Sequence, residues 1–182
     1  MSKPLQKARR DGGRTAWRAF GRDRRGVAAV EFALLDIPFF LMLFAVIETS
    51  LVFLAEFTLD RAVEKASRIV RTGEAQKAAM SAGDFRSLIC SDVGFLMKCD
   101  GLAIDLKTYA SFTQLPPPSA VKSGDVDSSG FGYQLGAPQT VQTLRAYYKW
   151  PIITDMMRSY LSDMNDGSHL LSSITVFRTE PY

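Results

Sequence analysis

Few side chains in this chain could do chemistry. Two cysteines, Cys90 and Cys99, lie close together, and His169 is the only histidine. Glu31, Asp36 and Glu48 interrupt a long apolar run, and carboxylates in such a setting are tolerated when protonated, hydrogen-bonded or paired. Asp125-Val126-Asp127-Ser128-Ser129-Gly130 has the spacing of the first half of a calcium loop. Its twelfth position is Gly136 where the loop needs a bidentate glutamate, so an Asx-rich turn is the stronger expectation and calcium the weaker. There is no Ser-His-Asp set, no paired exposed carboxylate site and no glycine loop to cradle a phosphate. The residues suit thiol oxidation and charge pairing better than turnover, so the expectation is a protein that is not an enzyme and needs no cofactor or metal.

The elements that position these residues begin at a charge step. Residues 1–26 hold nine Lys or Arg against Asp11 and Asp23, a net of +7, which leaves −4 for the rest of a chain whose total is +3. Val27 to Phe57 is overwhelmingly apolar, and as a helix its 31 residues would reach ~46 Å, beyond the ~30 Å hydrocarbon core of a bilayer. Basic residues are retained on the cytoplasmic side, so the N-terminus is read as inside and residues 58–182 as a periplasmic domain of a single-pass inner-membrane protein. The basic segment lacks a nucleic-acid motif, and the apolar run is too long and too acidic for a cleaved secretory signal.

Within that helix Glu31 stands ~6 Å from the start, near the headgroups, Asp36 ~13 Å in and Glu48 ~31 Å in. Only Asp36 is deep, and burying it costs on the order of 3 kcal/mol. Pro38 removes an N–H from the ladder and weakens the helix near Leu34. At 100° per residue the acids point to several sides, which suits a helix surrounded by several neighbours better than a lone anchor in lipid.

The basic leader through Arg24-Arg25, Gly26, Val27 and Glu31 together resemble a prepilin-peptidase site of the TadE-like family, minor pilins (pseudopilins) of tight-adherence Flp pili. Glu31-Phe32-Ala33-Leu34-Leu35 before Pro38, Ile47-Glu48, Tyr148-Lys149-Trp150-Pro151 and Val176-Phe177-Arg178-Thr179-Glu180-Pro181 extend the likeness. Asp36 and Thr49-Ser50 depart from it. The resemblance implies cleavage after Gly26, a new amine at Val27, and Glu31 setting axial register by neutralising the amine of an adjacent subunit. It also implies a prepilin peptidase, other pilin or pseudopilin subunits, inner-membrane assembly machinery and membrane lipid as partners, with no nucleic acid, and incorporation into an extracellular pilus.

Beyond the span, Leu59, Ala62, Val63, Ala66, Ile69 and Val70 recur at three- and four-residue intervals, which predicts that the helix continues half-buried to a cap at Gly73. A short helix is expected near Asp84, burying Phe85, Leu88 and Ile89. Cys90 and Cys99 fall on the exported side, where a disulfide is expected; buried free thiols, or a redox or metal pair, are the alternatives. Alternation predicts a strand over Leu102–Tyr109, and residues 113–140, with Pro116-Pro117-Pro118, read as a long exposed loop. A second strand over Val141–Lys149, a short helix with Met156, Met157, Tyr160, Leu161 and Met164 as its core-facing side, and a last strand over Leu170–Thr179 complete the chain.

The expected fold is α+β: a long N-terminal helix, half in membrane, packed on a small antiparallel sheet of about three strands. Two other functions compete with a pseudopilin: an unprocessed inner-membrane scaffold contacting the pilus secretion machinery, and an envelope enzyme, which would need a polar pocket at Asp125, Asp127 or His169.

Overall fold

The computed structural model describes residues 26–115 and 120–182; the basic leader over 1–25 and the three prolines at 116–118 lie outside the described residues. The fold is α+β, with a long helix followed by a small antiparallel sheet. The helix, α1 (Val27–Arg71), runs unbroken through Pro38 for 45 residues. The chain divides after Phe44 into two units. In the first, Phe32, Leu34, Leu35, Ile37, Phe39, Met42 and Phe44 are all exposed. An all-round apolar helix is a stable solution only where something other than water surrounds it. By length and composition it can cross a membrane.

The second unit starts at Ala45 and buries one stripe of α1. Glu48, Val52, Ala55, Leu59, Ala62, Val63, Ala66 and Val70, three or four residues apart, are covered, whereas Asp60, Arg61, Glu64, Lys65, Arg68 and Arg71 stay exposed. Burying each large aliphatic side chain contributes roughly 1.5–3 kcal/mol. Arg68 and Arg71 occupy the last turn, where cations favour the helix dipole. The helix stops at Gly73, whose φ of 79° suits glycine. A side chain there would also strike the Tyr182 ring. The Glu180 N–H donates to the Arg71 carbonyl at 2.8 Å, satisfying one of the orphan acceptors at the helix end.

Two shorter helices follow, α2 (Glu74–Lys77) and α3 (Ala82–Val93). Ser81 and Asp84 form a reciprocal capping box at the start of α3, one residue pair that fixes where it begins. Phe85, Ile89 and Val93 face the core; Leu88 is only partly covered. A disulfide joins Cys90 to Cys99, tying α3 to the turn before the sheet.

The sheet consists of β1 (Leu102–Tyr109), β4 (Val141–Pro151) and β5 (Ser168–Arg178), in the order β1-β4-β5 and antiparallel throughout; β2 (Val121–Lys122) and β3 (Asp125–Val126) form a separate hairpin. The register sets Leu106 opposite Leu144 and Leu144 opposite Thr175. Because side chains alternate, Leu102, Leu106, Leu144, Ala146, Tyr148, Leu171 and Phe177 share one face and one core with the buried stripe of α1.

The opposite face is covered over β1 and β4, where it carries charge, while Ser172, Ile174 and Val176 of β5 stay exposed on it. Asp105 stands across from Arg145. Residues 131–135 lie over this region and along β1. The Leu106 N–H donates to the Gly132 carbonyl and the Gln134 N–H to the Leu106 carbonyl, each at 2.8 Å. The expected open loop over 113–140 is therefore corrected: it holds the β2–β3 hairpin, and its second half runs along the edge of β1 and packs Tyr133 and Leu135 on the core. Phe131, Tyr133 and Leu135 alternate with Gly132 and Gln134, a two-residue period confined to five positions in a glycine- and proline-rich stretch.

The last helix, α4 (Asp155–Leu161), sits between β4 and β5. The expected core-facing side of this helix is corrected in part. Met157 and Leu161 pack on the core and Met164 is buried, but Met156 is 45% exposed and Tyr160 80%.

Candidate membrane anchor and assembly site

Gly26 opens the described chain just before α1. A side chain placed at Gly26 would meet nothing within 4 Å, so the Gly26–Val27 bond is unobstructed by the described residues. Val27 and Glu31 are exposed, one turn apart on α1. Asp36 is half-buried, and among the described residues it makes no side-chain hydrogen bond or ion pair.

Glu48 is placed differently. It is only 4% exposed and accepts hydrogen bonds from the backbone N–H groups of Ile153, at 2.5 Å, and Thr154, at 3.2 Å, and from the Thr154 hydroxyl. Sequence reasoning treats Glu48 as a polar group inside the span. The structure gives it protein partners 105 and 106 residues away in sequence, which hold the segment before α4 against the spine. Thr154 occupies the N-cap position of α4 but makes no capping bond, because its hydroxyl is turned to Glu48. Exposed residues on α1 run from Val27 to Ile47, apart from the half-covered Asp36 and Ala45. Twenty-one residues at 1.5 Å give about 31 Å, one hydrocarbon thickness.

The acids in the hairpin region are engaged with neighbours. Asp125 pairs with Lys149 at 2.5 Å, and that contact, followed by the Val126 N–H, lowers its pKa. Asp127 pairs with Lys122 and accepts from the Ser129 N–H at 3.1 Å, an Asx turn; Lys122 first and Ser129 second hold its carboxyl well below the ordinary range. Lys149 also reaches Asp166 at 3.2 Å. His169 lies 3.5 Å from Asp163. Among the described residues no group of three His, Cys, Asp or Glu side chains could hold a metal ion.

Sequence reasoning did not single out the pair beneath residues 131–133. Asp105 is 1% exposed and accepts from Arg145 Nε at 3.0 Å, from a second guanidinium nitrogen and from the Gly132 N–H at 2.8 Å. Phe131 stacks on Tyr147 with ring centroids 5.7 Å apart and lies 5.7 Å from the Arg145 guanidinium. The signal was present: Asp105 and Arg145 fall on the non-apolar parity of two adjacent strands.

A bare apolar helix one bilayer thick, continuing into the spine of a small α+β domain, is a candidate membrane span by length and composition. Residues 26–68 match the family described as TadE-like protein, so the chain carries the TadE-like segment. The matched stretch begins at Gly26 and takes in Glu31, Asp36, Glu48 and the buried stripe as far as Ala66. No curated protein and no solved structure matches the chain. The motifs at 148–151 and 176–181 lie outside the matched residues; in the fold they close the sheet and the end of α1.

Proposed function

We propose that this chain is a pseudopilin of a Flp/Tad-type pilus, held in the bacterial inner membrane by residues 27–47 and processed after Gly26. The observation that carries this reading is the coincidence of two boundaries. The TadE-like match starts at Gly26, and from Val27 onward the helix stays bare for one bilayer thickness before the domain covers it at Glu48.

Cleavage would leave an amine on Val27, one turn from Glu31. An unpaired amine and an unpaired carboxylate are both costly in a packed helix bundle, so each is best satisfied by the opposite group on a neighbouring subunit. That pairing fixes axial register between subunits. The domain then presents its covered sheet and charged spine to the assembly machinery and to other pilin subunits, with the leader cytoplasmic and the domain periplasmic. The role is one of assembly and adhesion, without chemistry of its own.

The test is the N-terminal residue of the protein extracted from membranes of cells with active prepilin peptidase. Val27 is expected; an intact leader sinks the processing step and leaves an unprocessed scaffold. Gly26→Ala should block cleavage, and Glu31→Ala should cleave normally yet be missing from sheared pili.

A further inference from the structure

The segment tied to Glu48 carries three large apolar side chains that the domain leaves uncovered: Ile153 is 73% exposed, Met156 45% and Tyr160 80%. Helical spacing sets Met156 and Tyr160 on one side of α4, with Ile153 leading into it, while Met157 and Leu161 face the core. The charges beside them cancel, since Asp155 pairs with Arg158 at 3.2 Å. A surface of this kind is costly in water.

Its position says what covers it. Glu48 holds the Ile153 and Thr154 N–H groups directly, and Glu48 is the residue after Ile47, where the bare apolar stretch of α1 ends. A helix of seven residues reaches only about 10 Å, so Met156 and Tyr160 stay within that distance of the start of α4. The uncovered patch thus lies within about 10 Å of the segment that Glu48 tethers, and Glu48 directly follows the bare stretch of α1. Tyrosine beside aliphatic side chains is the composition that settles among headgroups.

We propose that Ile153, Met156 and Tyr160 form a foot seated in the headgroup layer of the bilayer that α1 crosses, with Glu48 as the residue that positions it. This rests on the membrane-anchored reading above. The foot gives the domain a second contact with the membrane, so that it does not swivel freely about a single helix. Leaving the membrane for a filament would then require lifting the foot as well as extracting the helix.

The experiment uses the full chain with its Cys90–Cys99 bond intact, reconstituted in phosphatidylethanolamine–phosphatidylglycerol vesicles. A single added cysteine carries an environment-sensitive fluorophore, and two quencher lipids, one labelled near the headgroup and one along the acyl chain, read proximity at either depth. Met156→Cys should be quenched about threefold more than Ala78→Cys, which lies past the far end of the spine, and Leu35→Cys, in the bare stretch, should be quenched as well. Equal quenching at Met156 and Ala78 with strong quenching at Leu35 overturns the foot while leaving the anchor standing. If a cross-linker at Met156 then captures another subunit, the patch is a protein contact. Loss of quenching at Leu35 too would remove the anchor, and the foot with it.

Discussion

Asp105→Ala should be among the most damaging single changes in the domain. The carboxylate is 1% exposed and its partner Arg145 8%, so the substitution strands a guanidinium with little access to water. Breaking a buried pair by removing one member costs roughly 3–5 kcal/mol, because the charge left behind is uncompensated. The Gly132 N–H, which donates to Asp105 at 2.8 Å, loses its acceptor too, worth about 1–3 kcal/mol if it stays dry. These costs overlap, so a total of about 4 kcal/mol is expected. Replacing both partners, Asp105→Ala with Arg145→Met, should recover much of the loss, since the stranded charge goes with the pair. Urea unfolding of the detergent-solubilised chain, followed by far-UV circular dichroism, measures all four corners of the cycle. A single mutant within about 1 kcal/mol of wild type, or a double mutant as poor as the sum of the singles, would refute the reasoning.

Glu48→Ala leaves the Ile153 and Thr154 donors to water, which reaches both positions, so a loss of about 1–3 kcal/mol is expected, with partial recovery in Glu48→Gln; unchanged melting of the Ala variant counts against the tether. Reducing the Cys90–Cys99 bond reopens a short loop, nine residues in separation, and should cost about 2–3 kcal/mol; calorimetry with and without reductant reads it, and equal melting temperatures would contradict it. The Asp166 carboxyl is held at about 2, below its ordinary 3.8, by the Ser168 hydroxyl first, then the Ser168 N–H and Lys149. Since the folded value is the lower one, the unfolded chain takes up its proton first as pH falls. The contribution is complete above about pH 4 and lost toward pH 2. Asp166→Asn should therefore flatten the fall of melting temperature across that window, and an unchanged slope would exclude a role for this group.

The parts of the fold written in local periodicity could be read from the sequence. The three- and four-residue recurrence of Leu59, Ala62, Val63, Ala66 and Val70 announced the spine, and Gly73 announced its end. Alternation over Leu102–Tyr109 gave β1, and Asn165-Asp166-Gly167 gave the turn into β5. What stayed hidden depends on partners distant in sequence. The Glu48 carboxylate looked like one more acid in an apolar run because Ile153 and Thr154 are more than a hundred residues away. Residues 131–135 alternate apolar and polar, but over only five positions, and nothing local names β1 as the partner. Met156 and Met157 are adjacent and alike in composition, yet one faces the core and the other solvent, a distinction set by where α4 is pinned. Gly26 and Glu31 belong to another category: the spacing is legible, but the use proposed for it depends on a peptidase and a second subunit.

The closure at the outer end of α1 bears on how the domain is delivered. The Arg71 carbonyl is satisfied by the Glu180 N–H, and the Tyr182 hydroxyl donates to the Gly136 carbonyl at 3.0 Å. The stripe of α1 emerges first, but β4, β5 and the segment that seals them are more than seventy residues behind. In the proposed export, Leu59, Val63 and Val70 would wait, uncovered, until nearly the whole domain has crossed. Long-range closure of this sort folds slowly and leaves apolar surface open to the wrong partner in the interval. If the anchor is as proposed, the spine can lie against the bilayer while it waits, and the membrane would serve the emerging chain as a holding surface before it serves the finished protein as a tether.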